Sequence, residues 1–410
     1  MAKPPTDRRD NMKITELKFE LLKGKHQPPW PLFEERLVRP MDVYEEHRSV
    51  GLNETNRYRD LTNGEVQVTG VYLTICTDEG ITGLAGPVDL DQAFFAEHHI
   101  ANIIIGEDPL ATERIWDMMY RHLIHGRKCY PMFAVSAIDC ALWDIRGKAA
   151  GLPVYRLLGG PVRKSFPAYA SALGFKIDPE NAAKRAKSFV DEGYTAMKWF
   201  FRYGPGDGES GARKNVELVR AVREAVGPDV EIMFDAWNSW DVRYTLDIAN
   251  RVAEYRPRWL EEVVKPDDIP GYARIRAASP VPISGGEHEY TRWGARDYFT
   301  AGAVDVYQAD TFWAGGISEM LKILAMGSAF DVPTIPHGHS VPANAHLTAA
   351  QSPATTPVIE YLVQWNEIIQ FFLKHPVRPV NGYVTVSDTP GLGLEIDDSK
   401  VEEKRLLKWD

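Results

Sequence analysis

Apolar and polar positions along the chain fall into two regimes. Met12 to Leu22 (MKITELKFELL) alternates with period two and predicts a strand. Glu65 to Gly86 (EVQVTGVYLTICTDEGITGLAG) alternates on both sides of Asp78-Glu79-Gly80 and predicts a hairpin. Residues 91–127 read as helical. PMFAVSAIDCALWDIRGKAAGLP then carries an apolar stripe at Val135, Ile138, Ala141, Leu142 and Ile145, and stops at Gly151 with Pro153 beyond. Strands followed by helices predict an α+β domain over residues 1–150. From residue 160 the pattern changes. Short apolar runs (Pro167–Ala172, Thr195–Phe201) alternate with helical stretches (179–192, 212–226) up to about residue 365. The tail over 366–410 is strand-like and Pro-rich, and is expected to return onto the first domain.

In the second regime the apolar runs close on ionisable residues. Asp235, Glu261, Glu287, Asp310, His337 and Glu360 follow one another at intervals of 26, 26, 23, 27 and 23 residues. One strand, one helix and two loops take about 25 residues, so this is a βα period and predicts an α/β fold with a closed parallel barrel over 160–365. The C-terminal ends of such strands meet on one face, so six ionisable groups would converge on one pocket. Helix capping by acids would account for one or two of them, not for the series.

Between Lys23 and Gly64 the chain is irregular and rich in Pro, Arg and aromatics. Trp30, Phe33, Tyr58 and Arg59 suit a lid over a pocket better than a mobile surface loop. Residues 1–12 read as a loose tail. YGPGDGESG (203–211) lacks the GK[ST] ending of a phosphate loop.

Composition narrows the function. The net charge is −10 and no basic run is present, which argues against a nucleic-acid partner. Cys76, Cys129 and Cys140 read as core thiols of a reducing compartment. The polar start and the lack of a long apolar run predict no secretory signal and no membrane span, hence a cytoplasmic enzyme.

Three carboxylates on successive strands, Asp235, Glu261 and Glu287, cannot share a pocket without a cation, and oxygen-only donors suit Mg²⁺. Glu261 and Glu262 are adjacent, so a regular strand points only one of them inward; spacing favours Glu261. His337 and His339 both qualify as a base, with Asp310 placed to hold an imidazole through Nδ1. Lys198 is either a second acid/base group or a cation for a substrate carboxylate, and Glu360 could donate a proton if protonated. Such a set fits α-proton removal from a small-molecule carboxylate, with the ion stabilising the enediolate. Reprotonation then gives racemisation, and loss of a β-hydroxyl gives dehydration.

SAIDCALWDIRGKAAGLPVYRLLGG, FDAW, WLEEV, SGGEH, DVYQAD and PHGH together resemble the enolase superfamily, in its mandelate racemase branch. The resemblance covers nearly the whole chain. It implies a (β/α)7β-type modified TIM barrel with an α+β capping domain, Mg²⁺ on Asp235, Glu261 and Glu287, an Asp310–His337 dyad with His337 favoured over His339, and a homo-oligomer. Racemases of the branch carry Lys-x-Lys where this chain has Lys198-Trp199-Phe200, which favours the acid-sugar dehydratases. Among these the lone lysine, RYGPGDG, His288 after the third ligand and Arg39-Pro40-Met41 are similar to rhamnonate dehydratases. That implies substrate-binding roles for His288 and Arg59, with Trp30 and His339 beside them. Pro29-Trp30-Pro31 departs from that pattern, leaving lyxonate or mannonate open as substrates. A racemase, epimerase or cycloisomerase, or a non-catalytic binding barrel, is the alternative.

Overall fold

The structure is a computed structural model that describes residues 12–49 and 57–409, so the expected loose tail lies outside the described residues apart from Met12. The first sheet is antiparallel and contains β1 (Ile14–His26), β2 (Tyr58–Asp60), β3 (Val66–Thr77) and β4 (Thr82–Val88). β1 and β3 pair from Ile14 opposite Thr77 to His26 opposite Val66. β1 therefore runs four residues further than its alternation predicts, because β3 still offers it partners. Gly80 sits at φ 79° in the hairpin turn, a left-handed conformation that glycine adopts without steric cost.

The helical stretch after β4 is not continuous. It breaks into Leu90–Phe95, a wider turn over Ala96–Ile100, Ala101–Ile104 and Thr112–His122, with Gly106 at φ 89° and Pro109 in the gap. The helix Tyr130–Ala150 ends at Gly151 in the left-handed conformation. It is buried almost all round rather than along one stripe, and even Ser136, Asp139 and Asp144 are inaccessible. Their polar groups are bonded across it: Asp144 accepts from the amides of Leu84 (2.9 Å) and Leu392 (2.8 Å), and Asp139 from that of Ser318 (2.9 Å).

The second sheet is built from β5 (Ser165–Ser171), β6 (Ala196–Phe200), β7 (Glu231–Asp235), β8 (Trp259–Glu261), β9 (Ile283–Gly285), β10 (Val306–Tyr307) and β11 (Ile359–Leu362). They are parallel in the order β10-β9-β8-β7-β6-β5-β11. Beyond β10 the chain at 333–337 continues the sheet through a bridge between Tyr307 and Thr334 and bonds from Ile335 N to Tyr307 O (2.9 Å) and His337 N to Ala309 O (3.1 Å). This segment and β11 meet without a ladder among the described residues; the amide of Gly338 instead donates to Oε2 of Glu360 at 3.0 Å. Tyr169, Ala196, Met233, Trp259, Val306, Ile335 and Val358 form an apolar cluster of their own, drawn from almost every strand position. This is the layered filling expected inside a parallel barrel.

Two strands follow, β12 (Tyr383–Thr385) and β13 (Glu403–Leu406). β13 pairs with β1 and β12 with β5, so the tail touches both sheets. The loop after β1 is docked on the barrel mouth: Val38 N donates to Phe201 O (2.7 Å) and Glu35 N to Gly174 O (3.1 Å). Within it a buried Arg36 makes a two-pronged bond to Asp42 at 2.7 and 3.1 Å. No helix among the described residues is long and apolar enough to cross a membrane.

Candidate active site

The strand ends converge on a cavity of about 280 Å³. Lys198, Asp235, Glu287, His288, His337 and His339 line it from the barrel, Phe33, Arg36 and Arg39 from the docked loop, and Tyr58 from β2. Asp235 and Glu261 stand opposite each other in the β7–β8 register. Donor oxygens of Asp235, Glu261 and Glu287 all lie within 4.8 Å of one another, and all three residues are buried. Burial, reinforced by Glu261, pushes the Asp235 carboxyl up to about 7; burial also raises those of Glu261 and Glu287. Oε2 of Glu287 is buried without a hydrogen-bond partner. A buried orphan oxygen among three crowded carboxylates fits a hard divalent cation, and Mg²⁺ is the ion such a donor set takes.

Positive charge is already supplied there by Lys198, which is 3% exposed. Its Nζ bonds Oε1 of Glu261, lies 2.8 Å from Oε1 of Glu360 and 3.6 Å from Oδ2 of Asp235. Burial opposes its charge, but Glu261 and Glu360 outweigh burial and hold its pKa well above the ordinary value. The Glu360 carboxyl is lowered in turn: burial raises it, and Lys198 and His337 overcome that. Glu360 is thus an anion in this arrangement rather than the proton donor it could be if protonated. Glu261 is further fixed by Trp259 Nε1 (2.9 Å) and Gln308 Nε2 (3.0 Å).

His337 donates from Nδ1 to Oδ2 of Asp310 at 2.8 Å. Its Nε2 faces inward, 3.4 Å from Oε2 of Glu287 and 4.0 Å from Oε2 of Glu360. Burial lowers its affinity for a proton, but Glu287 and Asp310 reverse this and raise its pKa to about 10. Asp310, whose Oδ1 accepts from Phe312 N at 2.7 Å, is held at about 2; burial acts against this, and the bond from His337 and the nearby His339 overcome it. His339 is more remote, with Nδ1 3.7 Å from Asp310 Oδ2, and burial lowers its pKa.

The structure brings eight of the expected residues together with His339 and leaves out two. β2 turns Tyr58 into the cavity and Arg59 away from it; Arg59 is exposed and donates to Gln67 at 3.3 Å. Trp30 packs outside the cavity, 5.6 Å from Phe175 and with Arg185 over its ring at 5.4 Å. Strand alternation decides the first, and the docking of the loop through Val38 and Glu35 decides the second.

Other residues were missed. Glu262 does not point away from the pocket mouth: it takes φ 47°, which breaks the strand alternation. Its Oε2 accepts from Asn238 Nδ2 (2.6 Å) and His288 Nδ1 (2.8 Å), and His288 rises to about 9, with Glu262 overcoming the effect of burial. No glycine marks that turn in the sequence. Gln308 was detectable, since it lies two residues before Asp310 and so shares its face. Trp313 walls three imidazoles, with ring centroids 5.2 Å from His337, 4.8 Å from His339 and 5.5 Å from His288.

Residues 181–400 match the family described as enolase C-terminal domain-like, and residues 61–159 match the mandelate racemase / muconate lactonizing enzyme N-terminal domain. The chain belongs to the enolase superfamily, in its mandelate racemase branch. An L-rhamnonate dehydratase of Saccharopolyspora erythraea is 34% identical to this superfamily member over 391 residues, covering 92% of this chain and 93% of the relative. A D-galactarolactone cycloisomerase of Agrobacterium fabrum is 36% identical over 355 residues, covering 82% and 91%. The solved structure of rhamnonate dehydratase from Gibberella zeae complexed with Mg superposes with a TM-score of 0.80 at 30% identity, covering 97% of each chain.

Proposed function

We propose that this superfamily member dehydrates a sugar acid, an aldonate of the L-rhamnonate kind, to a 2-keto-3-deoxy acid. The observation that carries the reading is one-sidedness. His337 faces the carboxylate cluster, its Nε2 3.4 Å from Glu287 and Asp310 behind it, whereas His288, 3.6 Å from Glu287, has its Nδ1 bonded to Glu262. On the opposite strand Phe200 stands where a second lysine would give a base on the other face, and Lys198 is engaged by three carboxylates. Elimination needs only one such group.

Asp235, Glu261 and Glu287 would hold Mg²⁺, which when bound supplies the positive charge that a substrate carboxylate and its enediolate require. With Glu287 committed to the cation it would no longer hold a proton on His337, whose free Nε2 would take the C2 proton while Asp310 stabilises the imidazolium that forms. The imidazolium returns a proton to the departing C3 hydroxyl, which leaves as water, and the enol collapses to the ketone with a proton at C3. Lys198 and Glu360 assist at the substrate, and His288 and Tyr58 contact its hydroxyls. Residues 1–150 serve as a cap with its lid at about 23–64, on a closed (β/α)7β barrel over 160–365, and the chain assembles as a homo-oligomer. Dehydration at this site is supported by the relatives from Saccharopolyspora erythraea and Gibberella zeae.

A second reading, cycloisomerisation, is favoured by the relative from Agrobacterium fabrum. Proton NMR in D₂O with Mg²⁺ and a panel of aldonic acids, aldaric acids and an aldarolactone separates the two. New C3 methylene signals from an aldonate support dehydration. Turnover of the lactone alone supports cycloisomerisation. Exchange of the C2 proton without a new methylene means racemisation or epimerisation, and silence across the panel refutes both main readings.

A further inference from the structure

The parallel pairing that carries Asp310 and His337 ends at them. His337 N to Ala309 O (3.1 Å) is the final backbone bond between the two segments among the described residues. Beyond it the chain turns into the loop at 311–315 on one side and Gly338-His339-Ser340 on the other. The dyad therefore sits on the last rung, with no backbone bond between the two segments beyond it among the described residues.

At that point a side chain takes over. Asn344 lies in the helix Val341–Ala350 and has no exposed surface. Its Nδ2 donates to the backbone carbonyl of His337 at 2.7 Å, and its Oδ1 accepts from Oγ1 of Thr311 at 2.6 Å. Thr311 is also fully buried and is bonded covalently to Asp310. With the 2.8 Å bond between His337 and Asp310, the four residues close a ring. A buried amide is costly unless both of its ends are bonded, and an apolar residue would fill the space at lower cost. The amide's two bonds go to the residue bearing the base and to the residue next to its acid.

We infer that Asn344, acting through Thr311, is a positioning residue that sets the separation of Asp310 and His337. It takes over where the backbone pairing ends and touches no reacting atom. Its effect is on the fraction of molecules in which Nδ1 is bonded to Asp310 and Nε2 is aimed inward. A displacement on the order of 1 Å in such a pair costs roughly a hundredfold in rate.

The test uses the full chain. Thr311→Val removes the hydroxyl while keeping the volume, Thr311→Ser restores a hydroxyl, and Asn344→Ala removes the amide. The first readout is the low-field proton resonance of the His337 Nδ1–H bonded to Asp310, assigned by its loss in His337→Asn. It needs no substrate, so it is independent of the proposed dehydration. The inference expects the resonance to shift or vanish in Thr311→Val and Asn344→Ala and to return in Thr311→Ser. The second readout rests on the dehydratase reading: with a sugar acid that turns over, kcat falls roughly 10- to 100-fold with KM nearly unchanged, and Thr311→Ser recovers it. An unchanged resonance in a folded Thr311→Val protein overturns the inference. So does a resonance that Thr311→Ser fails to restore. If no acid turns over but the resonance responds as expected, the proposed function fails and the positioning role stands.

Discussion

Lys198 offers the sharpest test of how the site balances charge. In Lys198→Met the side chain keeps most of its volume but loses the ammonium that contacts Glu261, Glu360 and Asp235. Removing one partner of a buried charge cluster costs roughly 3–5 kcal/mol, because the remaining charges stay buried without compensation. At about 2.1 cal/mol/K of unfolding entropy per residue over 410 residues, this lowers Tm by roughly 3–6 °C in protein stripped of metal with a chelator. The sign with pH follows from the carboxyls. Asp235 and Glu261 already take protons more readily than usual, and without Lys198 they take them more readily still. Protonation relieves the repulsion, so the deficit is greatest near pH 8 and shrinks as pH falls through about 7. Mg²⁺ should return more stability to the variant than to the parent. The assay is thermal unfolding of both proteins across pH, with chelator and with Mg²⁺. A variant as stable as the parent near pH 8 in chelator would refute the view that Lys198 neutralises the cluster.

Three further outcomes are expected. His337→Asn should lower turnover by roughly 10²–10⁴-fold while circular dichroism stays unchanged; near-normal activity would move the base to His339 or Lys198. Arg59→Ala should leave KM within about twofold, whereas Tyr58→Ala should raise it roughly tenfold, since only Tyr58 faces the cavity. His346 is buried, accepts from Tyr155 N at 3.1 Å, and is lowered to about 4 by burial. Its neutral form is favoured in the folded state, so its contribution of roughly 3 kcal/mol is complete above about pH 6.5 and is lost as pH falls through about 4. His346→Gln should flatten denaturant-measured stability over that window.

The spacing of Asp235, Glu261, Glu287, Asp310, His337 and Glu360 made the barrel and most of the site legible, because one βα period fixes both the fold and which end of each strand carries chemistry. The residues that escaped are those placed by something other than that period. Glu262 enters through a positive φ that its neighbours in sequence do not announce. Trp30 and Arg59 lie in a region whose path is set by contacts between residues far apart in sequence, Glu35 with Gly174 and Val38 with Phe201. The helix Tyr130–Ala150 read as amphipathic because Ser136, Asp139 and Asp144 are polar, and sequence alone could not show that each acid had a backbone partner waiting in another layer.

Among the described residues the junction between the segment around Ile335 and β11 has no ladder, and the Gly338 amide is tied to the Glu360 carboxylate instead. One of the bonds across that junction, beside those at Thr334, thus ends on a titratable group that also faces Lys198. Mechanical integrity at that seam and electrical balance on the pocket floor become linked. Solvent exchange of one backbone amide, that of Gly338, then serves as a voltmeter for Glu360 that runs without any reaction taking place.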